Sequence, residues 1–79
     1  MVIKVLGSGC ANCKKLLGFA QEAVKELSAN AEILYVTDMM EIAASGLMRT
    51  PGLIIDGKVM AMGRVPNVKE IKQMIIDAQ

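Results

Sequence analysis

The chain has 79 residues, 53% hydrophobic and 22% charged, with nine basic and eight acidic side chains and a net charge of +1. That length supports one domain, expected over residues 1–79, and it demands an efficient core, since so short a chain hides only about 60% of its unfolded surface. Interspersed charges and 3% aromatic residues speak against a nucleic-acid face, and no apolar run is long enough to span a membrane.

Met1–Leu6 is too short and wrongly flanked for a signal peptide, so a soluble cytoplasmic protein is expected. In that reducing compartment a pair of cysteines is more often catalytic or metal-binding than a fixed staple. Val2–Leu6 is rich in branched aliphatics and reads as a buried strand, with Lys4 requiring solvent or a partner at an end or edge of the sheet. Gly7-Ser8-Gly9 follows, then Cys10-Ala11-Asn12-Cys13 at the start of a helical pattern. From about Ala11 to Ser28, Leu16, Leu17, Ala20, Ala23, Val24 and Leu27 recur at spacings of three and four, and Asn30 is the expected left-handed stop.

Ile33–Thr37 reads as a second strand, so strand, helix and strand form a right-handed parallel crossover. Asp38 and Glu41 have capping-box spacing and open a short helix ending near Gly46. Residues 47–52 form a connector, because Pro51 forces Thr50 to be extended. Leu53–Ile55 and Lys58–Ala61 flank Asp56-Gly57, a type I′ hairpin signal. Asn67 and Glu70 cap a last helix to about Asp77, with Val68, Ile71, Met74, Ile75 and Ala78 facing inward. The expected fold is α/β, βαβαββα, with a four-stranded mixed sheet and helices on both faces. Met48, Met60, Met62 and Met74 read as core filling, and Met39 and Met40 as ordinary packing of the short helix in preference to an exposed partner surface.

A thiol becomes a nucleophile when it loses its proton, and a helix start favours that loss through unpaired N–H groups and the macrodipole. Cys10 stands there, with Lys14 and Lys15 close in sequence to add charge. Cys13, three residues on, returns to the same helical face and is more interior. The pair suits a cycle in which Cys10 attacks a disulfide and Cys13 resolves the mixed disulfide. Gly7 and Gly9 leave room for a partner's backbone near Cys10, or simply make the turn.

Gly9-Cys10-Ala11-Asn12-Cys13-Lys14, Thr50-Pro51-Gly52-Leu53, Ile55-Asp56-Gly57-Lys58-Val59 and Gly63-Arg64-Val65-Pro66 together resemble the thioredoxin superfamily. Within it, the chain is most similar to small archaeal and bacterial thioredoxin- or glutaredoxin-like redox-active disulfide proteins. The resemblance implies a thioredoxin-like domain that reduces disulfides of target proteins and is itself recharged by a separate reductase. It implies a target groove formed by Gly9, Ala11, Asn12, Thr50, Pro51 and Gly63, with Pro51 cis and the Thr50 backbone pairing with the target. It implies no bound cofactor, no metal and a monomer. The chain departs from typical thioredoxins, which carry Trp and Gly-Pro where Gly9 and Ala11-Asn12 stand. Lys4 is the only ionisable residue of Val2–Leu6, so the role of the buried acid that thioredoxins keep in this strand is unfilled or falls to another group. Gly63 is followed by Arg64-Val65-Pro66-Asn67 instead of the glutathione-holding pattern of glutaredoxins. Two other readings use the same residues: a copper(I) or soft-metal carrier holding the ion between the two thiolates, and a non-catalytic binding module. A terminal helix and Ser8 in place of a methionine argue against the carrier.

Overall fold

In the computed structural model, which describes residues 1–78, the elements run β1 (Val2–Leu6), α1 (Ala11–Leu27), β2 (Glu32–Val36), α2 (Met39–Ala44), β3 (Gly52–Ile55), β4 (Lys58–Met62) and α3 (Val68–Ala78). This is the expected order, and Gln79, the end of the expected domain, lies outside the described residues. The sheet has four strands in the order β2-β1-β3-β4. β1 is parallel to β2 and antiparallel to β3, which pairs antiparallel with β4. The C-terminal ends of β1, β2 and β4 and the start of β3 therefore share one end of the sheet. Helices α1 and α2 both begin there.

Alternation along β1 sends Ile3 and Val5 to one face, where Leu53, Ile55 and Ala61 join them. α1 and α3 cover that face with Leu16, Ala20, Ala23, Ile71 and Ile75, and the two alanines let the isoleucines of α3 come close. The opposite face carries Leu6 and Ile54 against Ile42 of α2. Helices thus lie on both faces, though the six-residue α2 covers only one end of its own.

Several local expectations need correction. Lys4 sits in a central strand, not at an edge, and reaches solvent because α2 leaves its part of the face open. Ser28, not Asn30, takes the left-handed stop (φ 49°), and the Ala29 N–H returns to the Val24 carbonyl at 3.1 Å. Half-buried Ala29 already belongs to the core edge, so the chain turns as soon as the apolar stripe ends at Leu27. Asp38 caps α2 through the Met40 N–H at 2.9 Å, two residues on, rather than through that of Glu41. Ala78 is exposed, beyond the last turn that touches α1. Met48 and Met62 are also exposed and fill no core.

The hairpin follows its sequence signal. Asp56 (φ 48°) and Gly57 (φ 84°) both take positive φ, as a type I′ turn requires. Asp56 also accepts the Val2 N–H at 2.7 Å and donates its own N–H to the Val2 carbonyl at 2.8 Å, pinning the hairpin tip to β1. Between Leu53 and Ile54 the register with β4 slips, leaving Met60 as an extra residue.

At α3, Asn67 Oδ1 accepts the Glu70 N–H at 2.8 Å, and the Glu70 carboxylate accepts from Arg64 at 2.9 Å. The Arg64 hydrogen bond, followed by the Asn67 N–H, holds the Glu70 carboxyl below the usual glutamate range. A folded-state value below the unfolded one contributes stability at higher pH and loses it as pH falls through the folded value. Glu70→Gln is expected to flatten part of the acid limb of stability, read as urea midpoints from about pH 6 to about pH 3. An acid limb identical to that of the parent protein contradicts this assignment.

Candidate active site

The site is built where β1 hands over to α1. The Gly7 N–H still donates to the Val36 carbonyl at 2.9 Å, so the sheet holds the chain one residue past the strand. Gly9, at φ 87°, then turns it toward the helix. Cys10 is the N-cap, extended at φ −69° and ψ 166°. Its carbonyl accepts the Lys14 N–H at 3.0 Å, and its Sγ accepts the Cys13 N–H at 3.2 Å. A sulfur therefore occupies the place that a serine or aspartate oxygen fills in most N-caps.

Cys10 and Cys13 are joined by a disulfide, with Cα atoms 5.1 Å apart. Their environments differ sharply. Cys10 is exposed, whereas Cys13 is 0% exposed at the head of the stripe that continues through Leu16 and Ala20. Lys14 and Lys15 are both exposed, and the Lys15 ammonium lies 5.8 Å from the Phe19 ring centroid, further along α1. Ala11 and Asn12 are exposed in the first turn.

The other half of the site comes from the start of β3. The Thr50–Pro51 bond is cis, Pro51 is buried and Thr50 is exposed. Since Leu6 pairs with Gly52, Pro51 lies one step beyond that pair, alongside Gly7. The Pro51 carbonyl accepts the Gly63 N–H at 2.9 Å, so the end of β4 is tied to the same point. Gly63 lies under the Arg49 side chain, where an added Cβ would meet Arg49 Cδ at 3.1 Å. Gly9, Cys10, Ala11, Asn12, Thr50, Pro51 and Gly63 thus all stand at one end of the sheet.

Two features depart from the preferred reading of the sequence. A groove of about 260 Å³ runs from Thr50 along α2, lined by Met39, Ile42, Leu47, Met48 and Arg49 among others. Met39 (65% exposed), Met40 (79%) and Met48 (88%) stand in solvent instead of packing. Only the shortness of α2 hinted at this, since a one-sided helix with Ile42 as its buried anchor leaves its other apolar residues outside. The second feature is Gly7, which is buried, with its open side filled by Cys13 and not left for a partner. Among the described residues, no cluster of three or more His, Cys, Asp or Glu side chains gathers. A soft-metal reading has the two cysteine sulfurs to work with.

Comparison with known proteins matches residues 1–76 to the thioredoxin domain family. The chain is 45% identical over 75 residues to a thioredoxin of Methanothermobacter thermautotrophicus, covering 95% of this chain and 97% of the relative. It is 40% identical over 73 residues to a thioredoxin of Methanocaldococcus jannaschii, covering 92% and 84% respectively.

The difference in burial predicts unequal reactivity once the disulfide is reduced. Brief treatment with iodoacetamide is expected to label Cys10, with Cys13 labelled only after unfolding, as read by peptide mass spectrometry. Equal labelling of both thiols in the folded protein contradicts the burial assigned to Cys13.

Proposed function

The chain belongs to the thioredoxin family and is a thiol–disulfide oxidoreductase, and from that premise we propose that it reduces disulfides of target proteins with Cys10 as nucleophile and Cys13 as resolving thiol. The observation that carries this division of labour is the contrast between an exposed Cys10 at the helix N-cap and a wholly buried Cys13. A thiolate on Cys10 would keep the Cys13 N–H as a hydrogen-bond donor and sit at the positive end of a 17-residue helix.

In the proposed cycle the Cys10 thiolate attacks one sulfur of the target disulfide. A mixed disulfide forms, and the first target sulfur leaves as a thiolate that takes up a proton. Cys13 then gives up its proton and attacks the Cys10 sulfur. The Cys10–Cys13 bond closes, and the second target thiol departs. Two electrons pass from the dithiol to the target, and a separate reductase returns them.

Gly9, Ala11, Asn12, Thr50, Pro51 and Gly63 would form the rim that receives an extended target segment, with the Thr50 backbone exposed for pairing. This reading also takes residues 1–79 as one thioredoxin-like domain, active as a cytoplasmic monomer in a reducing compartment. The soft-metal carrier gains no specific observation beyond the two sulfurs it shares with this reading, and the binding module gains the exposed Met39 and Met40 but leaves the paired cysteines without a role.

Cys13→Ser is expected to accumulate a mixed disulfide with a target, because the second step is lost, while Cys10→Ser accumulates none. Non-reducing gels after mixing each variant with oxidised cell proteins provide the measurement. Equal trapping by the two variants overturns the division of labour.

A further inference from the structure

We propose that Gly7 is a positioning residue for the redox pair: lacking a side chain, it gives the Cys13 sulfur the space from which it bonds to Cys10. The proposal rests on the reading of Cys10 and Cys13 as the working pair, and not on which of them attacks first.

Alternation along β1 continues past the strand, so Ile3, Val5 and position 7 all face α1. Ile3 and Val5 meet the helix with branched side chains, and position 7 meets it with none. Backbone conformation does not explain the glycine, since Gly7 has no positive φ, unlike Gly9, Gly46, Gly57 and Gly63. Its hydrogen bond to Val36 could be made by any residue except proline. What requires glycine is space. A Cβ at position 7 would overlap Cys13 Sγ and come within 2.8 Å of Cys13 Cβ and 3.9 Å of its Cα.

A methyl group here makes two overlaps. The approach of 2.8 Å to Cys13 Cβ does not change with side-chain rotation and is relieved by a small lift of the first turn of α1 off β1, in either redox state. The closer overlap with Cys13 Sγ is relieved by rotating the sulfur away, which takes it from Cys10. A reduced Cys13 thiol is free to rotate, whereas a disulfide sulfur is not. The added methyl therefore penalises the oxidised form more than the reduced form, and the pair becomes a stronger oxidant. The Cβ overlap weakens both forms equally and leaves the midpoint alone, so the midpoint shift reads the sulfur contact by itself.

The test compares the parent protein, Gly7→Ala and the control Gly18→Ala, each equilibrated against a dithiothreitol couple and read by thiol trapping. Gly18 is exposed in α1 with no atom near its virtual Cβ. Gly7→Ala is expected to lower the equilibrium constant for closing the disulfide by about tenfold, an upward midpoint shift of about 30 mV. Gly18→Ala should leave it unchanged. Cys13→Gly removes the atoms that the new methyl would strike, so unfolding by urea in that background provides a second reading. There Gly7→Ala should cost about tenfold less in the unfolding equilibrium than it does beside Cys13.

If Gly7→Ala does not fold beside Cys13 but folds in the Cys13→Gly background, the contact is the cause and the proposal stands. A folded Gly7→Ala protein with the parent midpoint overturns it. So does an equal loss of stability in both backgrounds. Neither result bears on the trapping contrast between Cys10→Ser and Cys13→Ser, so the two readings fail separately.

Discussion

The structure depends on one junction, the point where β1 meets the first turn of α1. Two contacts define it. The Cys13 N–H donates to the Cys10 sulfur, so the cap of the helix is itself one of the reactive atoms. The Cys13 side chain rests on Gly7, so the packing seam between helix and strand ends on the other. Helix capping, core packing and sulfur chemistry share the same few atoms, and altering one alters the others.

The rest of the sheet supports that junction from both sides. The hydrogen bond from Gly7 to Val36 fixes the end of β1 against β2. The pairing of Leu6 with Gly52 brings Pro51 alongside, and the Gly63 N–H ties Pro51 to the end of β4. At the far end of the same strands, Asp56 pins the hairpin to Val2. β1 is therefore held at both ends, and α1 lies against it through Leu16, Ala20 and Ala23. Packed elements thus hold the two sulfurs, while half-buried Gly9, exposed Asn12 and Thr50 and the methionine-lined groove form the outward-facing rim.

Much of this was legible in the sequence because the signals were local. Asp56-Gly57 specifies its turn by the φ values it tolerates, Asn67 and Glu70 mark a helix start, and the cysteine spacing places both sulfurs on one helical face. The features that escaped depend on distant neighbours. Whether Gly7 serves a turn, a partner or a buried sulfur depends on which residue of α1 lies above it. Lys4 finds the solvent expected of it, but in a central strand rather than at an end or edge, because strand order, not composition, decides where β1 stands. Met39 and Met48 looked like packing residues, since apolar character does not reveal that a six-residue helix leaves its outer side uncovered. Ser28 took the stop expected of Asn30 because the core at Ala29 ends the helix earlier than residue preference suggests.

Capping, packing and pairing at the strand–helix junction all converge on a reversible two-electron couple. The most direct measurement is a redox titration of the intact chain against dithiol buffers, counting free thiols by mass after trapping. One transition with two-electron slope is expected, in which Cys10 and Cys13 gain or lose both thiols together, at a midpoint between about −120 and about −300 mV, above the values typical of structural disulfides. A pair that stays reduced throughout that range, or whose two thiols disappear independently, would contradict it.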